Sequence, residues 1–127
     1  MEGLLVLVIE DDVEVQAMID EALCDGGYDA ALAASGEEAV TLLTGRVLNY
    51  RVLVTDINLR GTMNGWEVAR YAREIDPEFP VVYITAAHAD QWASQGVPNS
   101  VVMTKPFATA QLVIAISNLL NAGTPPA

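Results

Sequence analysis

Short apolar runs alternate five times with stretches of helical period in this chain, and that alternation narrows the fold more than any other feature. Residues 4–9 form an unbroken apolar run, the pattern of a strand covered on both faces. Residues 13–25 follow at helical period, with Val15, Met18, Ile19, Ala22 and Leu23 on one face and Gly26-Gly27 as the stop. A weaker strand over 28–33 leads to Ser35-Gly36-Glu37-Glu38. That segment reads as a capping box, with Ser35 as N-cap and Glu38 reaching back to it. The helix behind it carries Ala39, Val40, Leu42 and Leu43 and ends near Gly45. A third strand spans 51–55, and a loop over 56–64 holds the breaker Gly61, with Gly65 at its end. A helix over 66–75 closes at Asp76-Pro77, and Pro80 introduces a strand over 81–84. Residues 86–96 are poorly patterned, so any helix there is short or irregular. A fifth strand over 101–104 and an amphipathic helix over 108–121, with Leu112, Val113, Ile116, Leu119 and Leu120, complete the pattern. One domain over 1–122 and a disordered tail over 123–127 are expected. Strands alternating with helices imply right-handed parallel β-α-β units, a sheet with helices on both faces, and ligands beyond the carboxyl ends of the strands.

Those ends carry the chemistry. Glu10-Asp11-Asp12 follows the first run, Asp56 the third, Thr85 the fourth and Lys105 the fifth. Gathered at one sheet edge, they supply carboxylates, a hydroxyl and an ammonium. Crowded carboxylates repel one another, and a hard divalent cation with oxygen ligands relieves that repulsion. A set of this kind holds such an ion and takes up a phosphoryl group. Taken singly, each residue has a plainer reading: acids after a strand cap the next helix, as Asp12 is placed to do, and Lys105 alone is a solvated charge.

Charge and composition remove other classes. A net charge of −11, from 17 acidic against 6 basic residues, repels a phosphate backbone, so direct nucleic-acid binding is not expected. No apolar run approaches the roughly 20 residues that span a bilayer. The first run follows an acidic start and is no signal peptide. Cys24, the single cysteine, fits a reducing cytoplasm, the expected location.

Five ordered pieces now carry a resemblance: Val8-Ile9-Glu10-Asp11-Asp12, Thr55-Asp56-Ile57-Asn58-Leu59, the Gly65 turn, Ile84-Thr85-Ala86 and Lys105-Pro106-Phe107. Over about residues 3–122 the chain resembles the receiver domain of two-component response regulators, the family of the bacterial chemotaxis regulator. The resemblance implies a flavodoxin-like, doubly wound (βα)5 three-layer sandwich with parallel strand order 2-1-3-4-5. It implies that Asp56 accepts a phosphoryl group from a sensor histidine kinase or a histidine phosphotransfer protein. The chain would thereby catalyse its own phosphorylation and dephosphorylation, without being a conventional enzyme. Mg²⁺ (or Mn²⁺) would be held by Glu10, Asp11, Asp56 and the Asn58 backbone carbonyl. Lys105 and Thr85 would each neutralise one phosphoryl oxygen, and Lys105-Pro106 would be a cis turn. The leading reading is a stand-alone, single-domain signal carrier; a receiver module of a hybrid histidine kinase or longer regulator is the alternative.

Departures from the family limit this. Its switch aromatic, three residues before the lysine, is Val102 here, so signalling would run through the loop after Thr85 or through the fourth helix. The interval from Thr85 to Lys105 is short and holds Pro98, which again points to a truncated fourth helix. Arg60 replaces the usual proline in the loop after Asp56 and brings a cation near the site. Asn58 and Ala87, two residues beyond Asp56 and Thr85, leave attacking water unhindered and suggest a short to moderate phosphoryl lifetime. His88 reads as an exposed loop or helix-start residue, Cys24 as inert and Trp66 as a packing residue, while Trp92 either packs under the fourth helix or, as the alternative, faces a partner. From other classes, a flavin-binding electron carrier would need a glycine- and hydroxyl-rich loop where Glu10-Asp11-Asp12 stands. A metal-dependent aspartyl phosphatase would need a second carboxylate where Asn58 stands.

Overall fold

In the computed structural model, which describes residues 3–122, the five apolar runs become five parallel strands in order β2-β1-β3-β4-β5. They are β1 (Leu5–Ile9), β2 (Asp29–Ala33), β3 (Tyr50–Asp56), β4 (Val81–Thr85) and β5 (Val101–Thr104). The helices between and after them are α1 (Val13–Asp25), α2 (Gly36–Gly45), α3 (Gly65–Ile75), α4 (Trp92–Gln95) and α5 (Thr109–Ala122). The tail expected over 123–127 lies outside the described residues.

Period-two alternation along unbroken apolar strands builds two cores at once. Val6, Val8, Val52, Val54, Val82 and Ile84 point to one face, where Ile19 and Leu23 of α1 and Leu112 and Ile116 of α5 cover them. Leu7, Ile9, Leu53, Val81 and Tyr83 point to the other, under Ala39 and Leu43 of α2 and Val68, Ala69 and Ala72 of α3. Truncating a fully buried residue such as Ile19 or Leu112 would cost ~2–5 kcal/mol in lost transfer energy and cavity. That rigid two-sided packing holds the strand ends in register.

The caps follow side-chain chemistry. Asp12 accepts the Glu14 and Val15 amides at 2.9 and 3.3 Å, the cap role foreseen for it. Ser35 accepts the Glu38 amide at 3.1 Å, but Glu38 reaches back to the Ala34 amide at 3.2 Å instead of closing a box on Ser35. Both bonds of a capping box form instead at Asn64 and Glu67, where α3 begins.

The fourth helix is indeed short: a 3₁₀ turn, Ala89–Gln91, precedes the single turn of α4. It is tethered from outside. Arg70 donates to the Gln95 carbonyl, Trp92 Nε1 to Ser100 Oγ at 2.9 Å, and the Val97 amide to Tyr83 Oη at 3.1 Å. The Trp92 indole packs over Gly96, where an added Cβ would lie 2.5 Å from its Cδ1. Trp66 is buried against Tyr83, with ring centroids 4.7 Å apart, and Cys24 is exposed. Among the described residues, no helix is long and apolar enough to cross a membrane.

Candidate functional site: an acidic cluster around Asp56

Strand register brings the charged residues together. Asp56 is the last residue of β3 and pairs with Ile84 of β4; Thr85 then pairs with Thr104 of β5. The ladder runs on beyond the strands through Ile57 N to the Ile84 carbonyl (3.1 Å) and Lys105 N to the Thr85 carbonyl (2.8 Å). Glu10, next after β1, donates its amide to the Ala33 carbonyl at 3.0 Å. Glu10, Asp56, Thr85 and Lys105 therefore emerge side by side at the carboxyl edge.

Lys105 is the hub. Its Nζ lies 2.7 Å from Glu10 Oε1 and 3.0 Å from Asp56 Oδ2. Burial works against the ammonium, but the hydrogen bonds to Glu10 and Asp56 outweigh it and raise the Lys105 pKa. Glu10 shows the opposite balance. Its carboxyl is raised to about 7: burial is the largest cause, Lys105 pulls it down, and the neighbouring Asp56 carboxylate adds to the rise. Asp11 stands beside them, and one oxygen from each of Glu10, Asp11 and Asp56 falls within 4.8 Å of the others. Lys105 offers one ammonium to Glu10 and Asp56, and burial, more than any imbalance of charge, is what raises the Glu10 carboxyl. An all-oxygen donor set of this kind fits a hard cation such as Mg²⁺ or Mn²⁺ and suits zinc or copper poorly.

The neighbours fix the remaining geometry. The Asn58 amide donates to Asp56 Oδ1 at 3.2 Å. Thr85 Oγ1 accepts the Ala87 and His88 amides at 3.2 and 2.8 Å, which leaves its own proton to donate. A cleft of about 160 Å³ opens over these groups, lined by Asp56, Asn58, Thr85, Ala86, Ala87, His88 and Lys105. His88 is both the residue that starts the 3₁₀ turn and part of this lining. The Lys105-Pro106 peptide is cis.

Every site residue expected from sequence thus reaches this edge. Others were missed. Gly65 packs against the end of β3 so tightly that an added Cβ would lie 2.2 Å from the Asp56 carbonyl oxygen. Gln16 Nε2 ties α1 to the strand ends through the Glu10 and Ala33 carbonyls at 3.2 and 3.4 Å. Glu37 accepts the Thr62 amide and hydroxyl at 3.1 and 3.3 Å, pinning the loop after β3. Only the Gly65 breaker left a trace in the sequence, as a stop signal and not as a close approach. Val102, at the position of the expected aromatic, packs against the core on the α2–α3 face.

Known proteins resemble this chain over nearly all its length. The family model for the response regulator receiver domain matches residues 6–117. The response regulator receiver protein CpdR of Brucella abortus is 34% identical over 119 residues, covering 92% of this chain and 97% of that protein. The transcriptional regulatory protein CusR of Escherichia coli is 28% identical over 120 residues, and there the match covers 92% of this chain but only 51% of the relative. A crystal structure of a response regulator receiver protein from Sinorhizobium medicae superposes with a TM-score of 0.92 at 40% identity, covering 95% of this chain and 97% of that one.

Proposed function

The chain belongs to the response regulator receiver domain family, and we propose from that premise that Asp56 is its phosphoryl acceptor. Receiver domains interact with histidine kinases or phosphotransfer proteins and bind Mg²⁺ at an acidic pocket. The finer assignment rests on one observation above the rest: the Lys105 ammonium bridges Asp56 and Glu10 beside the open cleft.

In this reading an Asp56 carboxylate oxygen attacks the phosphorus of a phosphohistidine. The O–P bond forms as the P–N bond breaks, and the departing imidazole keeps the electron pair and takes a proton from solvent. Transfer of this kind asks mainly for positioning and for neutralisation of the equatorial oxygens. Lys105 Nζ, already 3.0 Å from Asp56, follows one oxygen, and the Thr85 hydroxyl donates to a second. Glu10, Asp11, Asp56 and the Asn58 carbonyl are the groups that would hold Mg²⁺ or Mn²⁺. When bound, the cation supplies positive charge to the carboxylates and the phosphoryl group. Water attacking the phosphorus breaks the P–O bond to Asp56, the carboxylate leaves and inorganic phosphate is released; the Asn58 and Ala87 side chains leave that approach open, in keeping with a short to moderate lifetime.

The output runs through Thr85. Turning its hydroxyl toward a phosphoryl oxygen releases the Ala87 and His88 amides, and the 3₁₀ turn and α4 follow directly behind them. No aromatic at 102 is needed. We further propose a stand-alone receiver over residues 1–122, supported by the CpdR match across 97% of that protein. The CusR match, across about half of its relative, supports the second reading, a module of a longer regulator. Incubation with Mg²⁺ and a small phosphoryl donor tests the acceptor assignment. One acid-stable, base-labile phosphoryl group is expected on the wild type and none on Asp56→Ala; equal uptake by both refutes it.

A further inference from the structure

One charged side chain outside the groups assigned above touches the acidic cluster. Arg60 extends from the loop after β3 and sets its Nε 3.5 Å from Asp11 Oδ2. The two ends of this pair differ: the Arg60 side chain is 85% exposed, the Asp11 side chain 19%. The turn that carries Arg60 is tied to α2 through Glu37. Gly61 takes a φ of 95°, and a Cβ there would sit 2.5 Å from a Glu37 carboxylate oxygen. The same carboxylate holds the Thr62 amide, an interaction that lowers the Glu37 pKa. A turn tied to α2 therefore presents a long, solvent-reaching guanidinium beside Asp11.

We propose that Arg60 is an exchangeable counter-ion: it sits on Asp11 while the divalent cation is absent, gives up that carboxylate when the cation binds, and then receives the anionic phosphoryl donor. The proposal rests on Asp56 being the acceptor. Charge and exposure both favour the exchange. A pair with one largely exposed partner and a single 3.5 Å N–O contact is weak, so a divalent ion recruiting the same carboxylate displaces it readily. Once displaced, the guanidinium is left near the acidic cluster with a planar donor fork that matches two phosphate oxygens. Lys105 serves the phosphoryl group from inside the site, its ammonium drawn between Glu10 and Asp56, which leaves the outer, exposed position to Arg60. A cation at the rim acts on encounter and binding of the donor more than on the bond-making step.

Two measurements on wild type, Arg60→Gln and Arg60→Lys test this. The first is Mg²⁺ binding by calorimetry without any donor; the second is the phosphorylation rate at saturating Mg²⁺ across acetyl phosphate concentrations. Arg60→Gln should bind Mg²⁺ about 2- to 4-fold more tightly, since a weak competitor is gone. It should also need about 3- to 10-fold more acetyl phosphate for half-maximal rate, with a smaller change in the maximal rate. Arg60→Lys, which keeps the charge but loses the fork, should fall between the wild type and Arg60→Gln in donor affinity. Opposite signs are the signature, because a mere loop staple would weaken both. Joint weakening, or no change in either while the wild type is phosphorylated normally, overturns the proposal. Failure of the wild type to acquire a phosphoryl group on Asp56 would instead refute the acceptor assignment and the donor half with it, and the calorimetry would still decide the competition for Asp11.

Discussion

Replacing Lys105 with methionine removes the one ammonium that Glu10 and Asp56 share, and its cost should depend on pH. The Lys105 side chain is 23% exposed, that of Asp56 10% and that of Glu10 1%. Breaking a buried ion pair costs ~3–5 kcal/mol; because Lys105 still reaches solvent, we expect ~2–3 kcal/mol at about pH 8. The sign of the pH effect comes from Glu10. Its carboxyl is raised from the ordinary 4.5 to about 7 in the folded chain, so folding retains a proton that the unfolded chain releases between those values. This group's contribution therefore grows less favourable as pH rises from about 4.5 through about 7. Without Lys105, which pulls the Glu10 pKa down, that decline deepens and extends to higher pH. At about pH 5, with Glu10 protonated in the folded variant, the loss should shrink to ~1 kcal/mol or less. Mg²⁺ at about pH 8 should return more than half of it, since the cation replaces the missing charge. Urea denaturation of both proteins from about pH 5 to 8.5, with and without Mg²⁺, reads the difference directly. A loss that is constant with pH, or one that Mg²⁺ does not relieve, refutes the electrostatic account of this edge.

Two further outcomes probe the scaffold. Gly65→Ala would place a Cβ 2.2 Å from the Asp56 carbonyl oxygen and 2.8 Å from the Ile57 Cα, so α3 must shift away from the acceptor. Urea denaturation should show a loss of ~2–3 kcal/mol, accompanied by slower phosphoryl uptake. Trp92→Phe deletes the 2.9 Å donation to Ser100 and should cost ~1 kcal/mol. Amide exchange should quicken at Gly96 and Val97, with β1 and β3 unaffected.

How legible the molecule was depended on how local each signal is. Strand identity rested on continuous apolar runs, and a residue immediately after such a run must stand at the sheet edge. That is why Glu10, Asp56, Thr85 and Lys105 could be placed together before any coordinates. The weak pattern over 86–96 likewise foretold the single turn of α4. Contacts set by two distant segments were hidden. Gly65 read as a helix breaker, yet its need for a bare Cα comes from the Asp56 backbone pressed against it. Gln16 looked like an ordinary polar helix residue, and its reach to the strand-end carbonyls exists only once α1 packs on the sheet. The Ser35 motif misled because its side-chain spacing suits a capping box, whereas Glu38 finds the Ala34 amide nearer its path. Arg60 reads as a cation near the site, but its partner Asp11 comes from a segment distant in sequence and is apparent only in the fold.

Reductive trapping of the phosphorylated chain, followed by peptide mapping, tests the central assignment most directly. Borohydride converts an aspartyl phosphate to homoserine, so the acceptor is marked at its own position. Homoserine is expected at position 56 alone, formed only when Mg²⁺ or Mn²⁺ is supplied with the donor. Homoserine at position 11, or cation-independent labelling spread over several acids, would contradict it.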